Sequence, residues 1–160
     1  MRSNNIKLQI NRQLREKNMT VAAAESCTGG LLSNYLTAYA GSSEYFLIGF
    51  VCYANEAKIN LLKIKPSIIK RHGAVSKEVA GILCENVKKI AGSDIGISVT
   101  GIAGPGGGHP GKPVGLVYIG IAVAGKHTRV HEYKFKGTRS RIKKLSSLKA
   151  IEELLKEINA

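Results

Sequence analysis

The sequence predicts an α/β fold, a three-layer α/β/α sandwich around a mixed β-sheet, built as one domain over residues 1–160. Three observations carry that reading. Short apolar stretches of strand length alternate with longer stretches whose apolar residues recur every three or four positions, as in strands interleaved with amphipathic helices. Polar and glycine-rich turns follow the ends of the apolar stretches, where parallel sheets place their ligands. Towards the C-terminus two strand-like stretches meet across a tight turn, which adds an antiparallel pair.

Taken in order, residues 6–17 set Ile6, Ile10 and Leu14 four apart among charges, giving a helix with one buried stripe that Asn18 ends. Residues 19–24 form a short buried strand. The run Glu25-Ser26-Cys27-Thr28-Gly29-Gly30 is a turn, and a helix over 29–39 carrying Leu31, Leu32, Tyr35 and Leu36 follows it. A second strand over 46–53 is rich in β-favouring residues. Then come a short helical stretch with Asn55 and Lys58, and another opened by Pro66. Ser76 is a good N-cap for a helix burying Val79, Ile82, Leu83, Val87 and Ile90. A buried strand over 95–99 runs into Thr100-Gly101-Ile102-Ala103-Gly104-Pro105-Gly106-Gly107-Gly108, the most glycine-dense segment. Strands over 114–122 and 127–135 turn at Gly125-Lys126, and a basic helix over 139–158 closes the chain. Its apolar side carries Ile142, Leu145, Leu148, Ile151, Leu154 and Leu155.

Composition narrows the classes of function. With 44% hydrophobic and 22% charged residues the chain is globular, and no apolar run approaches the ~20 residues of a membrane span. The basic amphipathic N-terminus lacks the apolar core of a signal peptide, so a cytoplasmic, membrane-free protein is expected. Cys27, Cys52 and Cys84 are odd in number and form no metal pattern, which points to reduced thiols and no bound metal. The formal charge of +13 invites a nucleic-acid reading. Its excess lies at the two ends, +4 over residues 1–18 and +6 over 126–160, and aromatics are only 6%. A solvated basic face that also draws in an anionic substrate fits that distribution better than a base-stacking platform.

Two segments could carry chemistry. Ser26 ends a strand and precedes Thr-Gly-Gly, where a following helix offers unpaired N–H groups for an oxyanion or a phosphate. A serine needs a base, and the four histidines sit in loops or beside charges. Lys58, close to Tyr53 and Asn55, can serve if burial lowers its pKa, and the tyrosine could relay the proton or hold the serine's orientation. On these residues alone the ordinary readings, a capping serine and a surface lysine, stay open. Cys27, beside the serine, reads as a small residue in a tight turn. The loop over 100–108 matches neither the P-loop nor the dinucleotide fingerprint, yet its bare backbone suits a phosphate.

Read together, five segments resemble the C-terminal domain of the competence/damage-inducible CinA family. They are Ala24-Glu25-Ser26-Cys27-Thr28-Gly29-Gly30, Tyr53-Ala54-Asn55-Glu56-Ala57-Lys58, Gly73-Ala74-Val75-Ser76, Thr100-Gly101-Ile102-Ala103-Gly104-Pro105 with Gly107-Gly108, and Lys112-Pro113-Val114-Gly115. Stand-alone members of that family are nicotinamide-nucleotide amidases. The resemblance therefore implies hydrolysis of the carboxamide of nicotinamide mononucleotide to nicotinate mononucleotide and ammonia, without a cofactor. It implies Ser26 as nucleophile, with Lys58 and Tyr53 as its activating partners. The substrate would be held by Thr28, Gly29 and Gly30, by Asn55, by Thr100, Gly101, Gly104, Pro105 and Gly106, and by Arg139. It further implies a homodimer whose partner molecule is a small pyridine nucleotide; a catalytically silent regulatory or nucleic-acid-associated module is the alternative.

This chain departs from the family pattern at three places. Leu61-Leu62-Lys63-Ile64 stands for the usual Leu-Leu-Gly-Val, and Gly137-Thr138-Arg139 with Lys143 stands for Gly-Asp-Arg with a second arginine four residues on. The N-terminal domain of longer members has no counterpart in these 160 residues.

Overall fold

The computed structural model describes residues 2–160, with side chains from residue 5 onward. The helices are α1 (Arg2–Glu16), α2 (Leu31–Leu36), α3 (Asn55–Asn60), α4 (Pro66–His72), α5 (Lys77–Ala91) and α6 (Arg139–Asn159). The strands are β1 (Val21–Glu25), β2 (Phe46–Val51), β3 (Ile95–Gly101), β4 (Leu116–Val123) and β5 (Arg129–Lys134). They form one sheet in the order β2-β1-β3-β4-β5. The pairs β1–β2 and β1–β3 are parallel, whereas β3–β4 and β4–β5 are antiparallel, so the sheet is mixed as expected.

The strands alternate their side chains between two apolar layers. Val21 and Ala23 of β1, with Ile95, Ile97 and Val99 of β3, face α1, α2 and α6. Ala22 and Ala24 face the other side, against Val79, Leu83 and Val87 of α5. Helix α5 approaches so closely that a Cβ at Gly96 would lie 1.9 Å from the carbonyl oxygen of Cys84. Ser98 fixes the same contact by donating from Oγ to the Ala80 carbonyl at 2.7 Å. Ser76 caps α5 as expected, its Oγ accepting from the Val79 N–H at 3.2 Å.

Four expectations need correction. Strand β2 stops at Val51 rather than 53, because the main-chain carbonyls of Cys52 and Tyr53 turn away from the ladder to the Lys58 ammonium. Ile90 is exposed; α5 ends one residue later, and Ala91 takes the inward place. On α6 the sheet-facing stripe is Ile142, Ser146, Ser147, Ala150, Ile151, Leu154 and Ile158, with Leu145 and Leu148 only half-buried on its flanks. The serines tolerate burial because their hydroxyls donate to the carbonyls one turn back, of Ile142 and Lys143. Helix α2 is also shorter than expected, six residues. Among the described residues no helix is long and apolar enough to cross a membrane.

The order sets β1 between its two parallel neighbours, β2 and β3, and the chain visits them in turn. It crosses to β2 through α2 on one face, and from β2 to β3 through α3–α5 past the other. The carboxyl ends of β1, β2 and β3 therefore meet at a topological switch point, the crevice where open α/β sheets bind ligands.

Candidate active site

Ser26 is the first residue beyond β1. Its N–H donates to the Val99 carbonyl of β3 at 2.9 Å, and the preceding Glu25 carbonyl accepts from the Cys52 N–H at 2.8 Å, which holds the serine between its two neighbouring strands. Gly29 and Gly30 then adopt φ of +61° and +96°, left-handed values that favour glycine, and α2 begins.

Lys58 reaches this turn from α3. It is 1% exposed, and its Nζ lies 3.1 Å from Ser26 Oγ, 2.8 Å from the Cys52 carbonyl and 3.1 Å from the Tyr53 carbonyl. Burial holds its pKa below the ordinary 10.5, partly opposed by the nearby thiols and Glu56. A lysine that loses its proton more readily, in contact with a serine hydroxyl, has the parts that a nucleophile–base pair requires. The neighbouring Cys27 is no rival: burial pushes its thiol up to about 12, so the thiolate is scarce near neutrality.

The dyad opens into a pocket of about 270 Å³ lined by Cys27, Tyr53, Asn55, Ala74, Val75, Arg139 and the loop at 100–107. Of the expected binding residues, Asn55, Thr100, Gly101, Gly104, Gly106 and Arg139 meet there. Within that loop Thr100 is buried and spends its hydroxyl on the Ala74 carbonyl at 2.8 Å, which ties the loop to the chain leading into α5. Pro105 follows a cis peptide bond and, unlike its neighbours, does not line the pocket.

Tyr53 is placed differently from its expected role. Its carbonyl serves Lys58, but its hydroxyl accepts from Arg139 Nη2 at 2.6 Å. Arg139 Nη1 donates to the Gly104 carbonyl at 2.9 Å, so the guanidinium fastens the tyrosine and the glycine loop together at the pocket mouth. Thr28, Gly29 and Gly30 lie in an adjoining hollow of about 720 Å³, with Leu31, Asn34, Ser140 and Lys143, and Arg139 borders both spaces.

The N–H groups expected to be free at the start of α2 are taken. Those of Gly30, Leu32 and Ser33 donate to the Glu25 carboxylate, at 3.0, 3.0 and 2.7 Å. Gly29 N–H donates to the Ser26 carbonyl and Leu31 N–H to that of Thr28. Among the described residues this leaves the N–H groups of Cys27 and Thr28 unspent on other residues, immediately after the serine. The hydroxyl of Thr28 points into the protein, donating to Glu25 at 2.6 Å. Glu25 is thus the residue that sequence reasoning missed: a fully buried carboxylate directly before the serine. Among the described residues no group of three or more His, Cys, Asp and Glu gathers that could hold a metal ion.

Comparison with known proteins gives the chain's family. The family model of the CinA C-terminal domain matches residues 3–158. A CinA-like protein of Citrifermentans bemidjiense is 48% identical over 141 residues, covering 88% of this chain and 34% of the relative. The chain therefore spans about a third of the length of the curated relatives it matches. Among solved structures, the competence/damage inducible protein CihA from Agrobacterium tumefaciens superposes with a TM-score of 0.95 at 33% identity, covering 99% of this chain and 96% of that one. The CinA superfamily protein KP700603 from Klebsiella pneumoniae superposes with a TM-score of 0.94 at 28% identity, with 98% of each chain covered. The chain belongs to the CinA C-terminal domain family.

Proposed function

We propose that this domain is a serine amidohydrolase acting on the carboxamide of nicotinamide mononucleotide. The observation that carries the proposal is the 3.1 Å contact between Ser26 Oγ and a buried lysine amine whose pKa burial lowers. In the neutral state the amine lone pair accepts the Ser26 proton while Oγ attacks the amide carbon. The carbonyl oxygen becomes an oxyanion, held by the N–H groups of Cys27 and Thr28; the N–H following a nucleophile serves this role in other hydrolases. Lys58 returns the proton to nitrogen as the C–N bond breaks, which releases ammonia and leaves an ester on Ser26. Water, deprotonated by the same amine, hydrolyses the ester to carboxylate and regenerates the serine.

The neighbouring hollow supports a nucleotide as the amide's carrier. Arg139 and Lys143 stand one turn apart on α6 and border it beside the bare backbone of Gly29 and Gly30. Two cations over a side-chain-poor surface suit a phosphate, and Lys143 occupies the position of the family's second arginine. In this reading Arg139 both gathers the mouth and meets the anion, and Tyr53 orients that arginine while its carbonyl orients Lys58.

The test is ammonia release from nicotinamide mononucleotide by purified protein, compared with Ser26→Ala. Turnover that disappears in the variant supports the reading. Wild-type protein without ammonia release, or Ser26→Ala with undiminished release, refutes it.

A further inference from the structure

We infer that Glu25 is a positioning residue for the nucleophile: its buried carboxylate shapes the Ser26 turn and determines which main-chain N–H groups are left to the oxyanion. The inference rests on the serine-nucleophile reading above and deepens it.

Glu25 is 0% exposed, and its carboxylate accepts five hydrogen bonds. Thr28 Oγ1, Gly30 N–H and Leu32 N–H donate to Oε2 at 2.6, 3.0 and 3.0 Å, while Ser33 N–H and Ser33 Oγ donate to Oε1 at 2.7 and 2.6 Å. All five donors lie between residues 28 and 33, so one side chain ties the end of β1 to the first turn of α2. Ser26 and Cys27 are the residues enclosed by that tie.

A helix start is ordinarily capped by the residue just before it. Here that place belongs to Gly30, which carries no side chain. The cap comes instead from five residues upstream, and the glycines are left bare to face the hollow. The same arrangement removes three strong donors from the α2 N-terminus. An anion in the hollow then finds no rival site there, and the oxyanion is left with Cys27 and Thr28. Lys58 is fixed independently, by carbonyls at the end of β2. The 3.1 Å contact is therefore held from separate sides: the Cys52–Tyr53 carbonyls place the amine, the Val99 carbonyl holds the Ser26 N–H, and Glu25 ties down the turn that follows the serine.

The experiment compares wild type, Glu25→Gln and Ser33→Ala, with Ser26→Ala as reference. It reads Ser26 labelling by a fluorophosphonate, kcat and KM for nicotinamide mononucleotide, and the melting temperature. Glu25→Gln keeps the size but turns an amide NH2 towards N–H donors. We expect labelling rate and kcat to fall roughly 10²-fold or more, as when an oxyanion donor is lost, with KM changed little. Ser33→Ala removes one hydroxyl donor and should give a smaller loss of the same kind, which keeps the test alive if Glu25→Gln does not fold. Variants that melt earlier yet label and turn over like wild type overturn the inference, since the carboxylate would then be structural only. Wild type that labels at Ser26 without hydrolysing the nucleotide refutes the substrate reading alone, and labelling rates still decide the role of Glu25. Wild type that does not label at Ser26 overturns both.

Discussion

Replacing Lys58 by methionine separates catalysis from stability. Methionine fills nearly the same volume and offers no lone pair basic enough for the Ser26 proton. In the native protein Nζ donates to the carbonyls of Cys52 and Tyr53 at 2.8 and 3.1 Å. Stranding a buried carbonyl costs about 1–3 kcal/mol. Against that stands the relief of an amine that is 1% exposed, since holding a charged group out of water costs several kcal/mol. The two terms oppose each other and are similar in size, so the net change should stay within about 2 kcal/mol. For a domain of this length that is a shift of roughly 4–8 °C or less in melting temperature. Turnover, in contrast, loses its general base and should fall ~10²–10⁴-fold. Ammonia release and differential scanning calorimetry on the same preparation measure both. Lys58→Met that hydrolyses within tenfold of wild type would refute the reasoning, because the base would then lie elsewhere.

Three further outcomes follow from the same geometry. Burial depresses the Lys58 pKa below 10.5, so kcat/KM should rise with pH as the ammonium gives up its proton, along a limb lying below that value; the unfolded chain keeps the proton longer, so folding stability should rise over the same window. A rate profile flat from pH 6 to 10 contradicts this assignment. Gly96→Ala should destabilise by about 1–3 kcal/mol or more, because its Cβ would meet the Cys84 carbonyl oxygen at 1.9 Å; an unmoved urea midpoint would show that α5 is not seated on β3 as described. Cys27→Ala should keep activity within a few-fold of wild type, since a thiol pushed up to about 12 supplies no nucleophile; loss of ammonia release in that variant would reassign the chemistry.

The parts of the fold legible in the sequence are those a local pattern specifies. Four-residue spacing placed Ile10 and Leu14 inside, and short uninterrupted apolar runs marked β1 and β3 as buried strands. The pattern failed on α6, where leucine marks burial less well than proximity to the sheet does: Ser146 and Ser147 take the tight places, and Leu145 and Leu148 remain on the flanks. The meeting of Ser26 with Lys58 was legible because each follows the carboxyl end of a strand, and parallel neighbours bring such ends together. Tyr53 and Arg139 meet across 86 residues, and no spacing predicts that contact.

Glu25 escaped for a different reason. Capping is read from the residue next to a helix, yet here a longer side chain supplies it from the strand before, and the capping position is glycine. A search for acids that precede a nucleophile and are followed by hydroxyl and glycine residues would have found it: Glu25, then Thr28, Gly29, Gly30 and Ser33. What that string encodes is a division of labour. The turn must be bare where it faces the ligand and firmly held where it faces the core, and no single residue at the helix start can do both. The carboxylate holds the turn from beneath, which frees the glycines to stay bare on the other side.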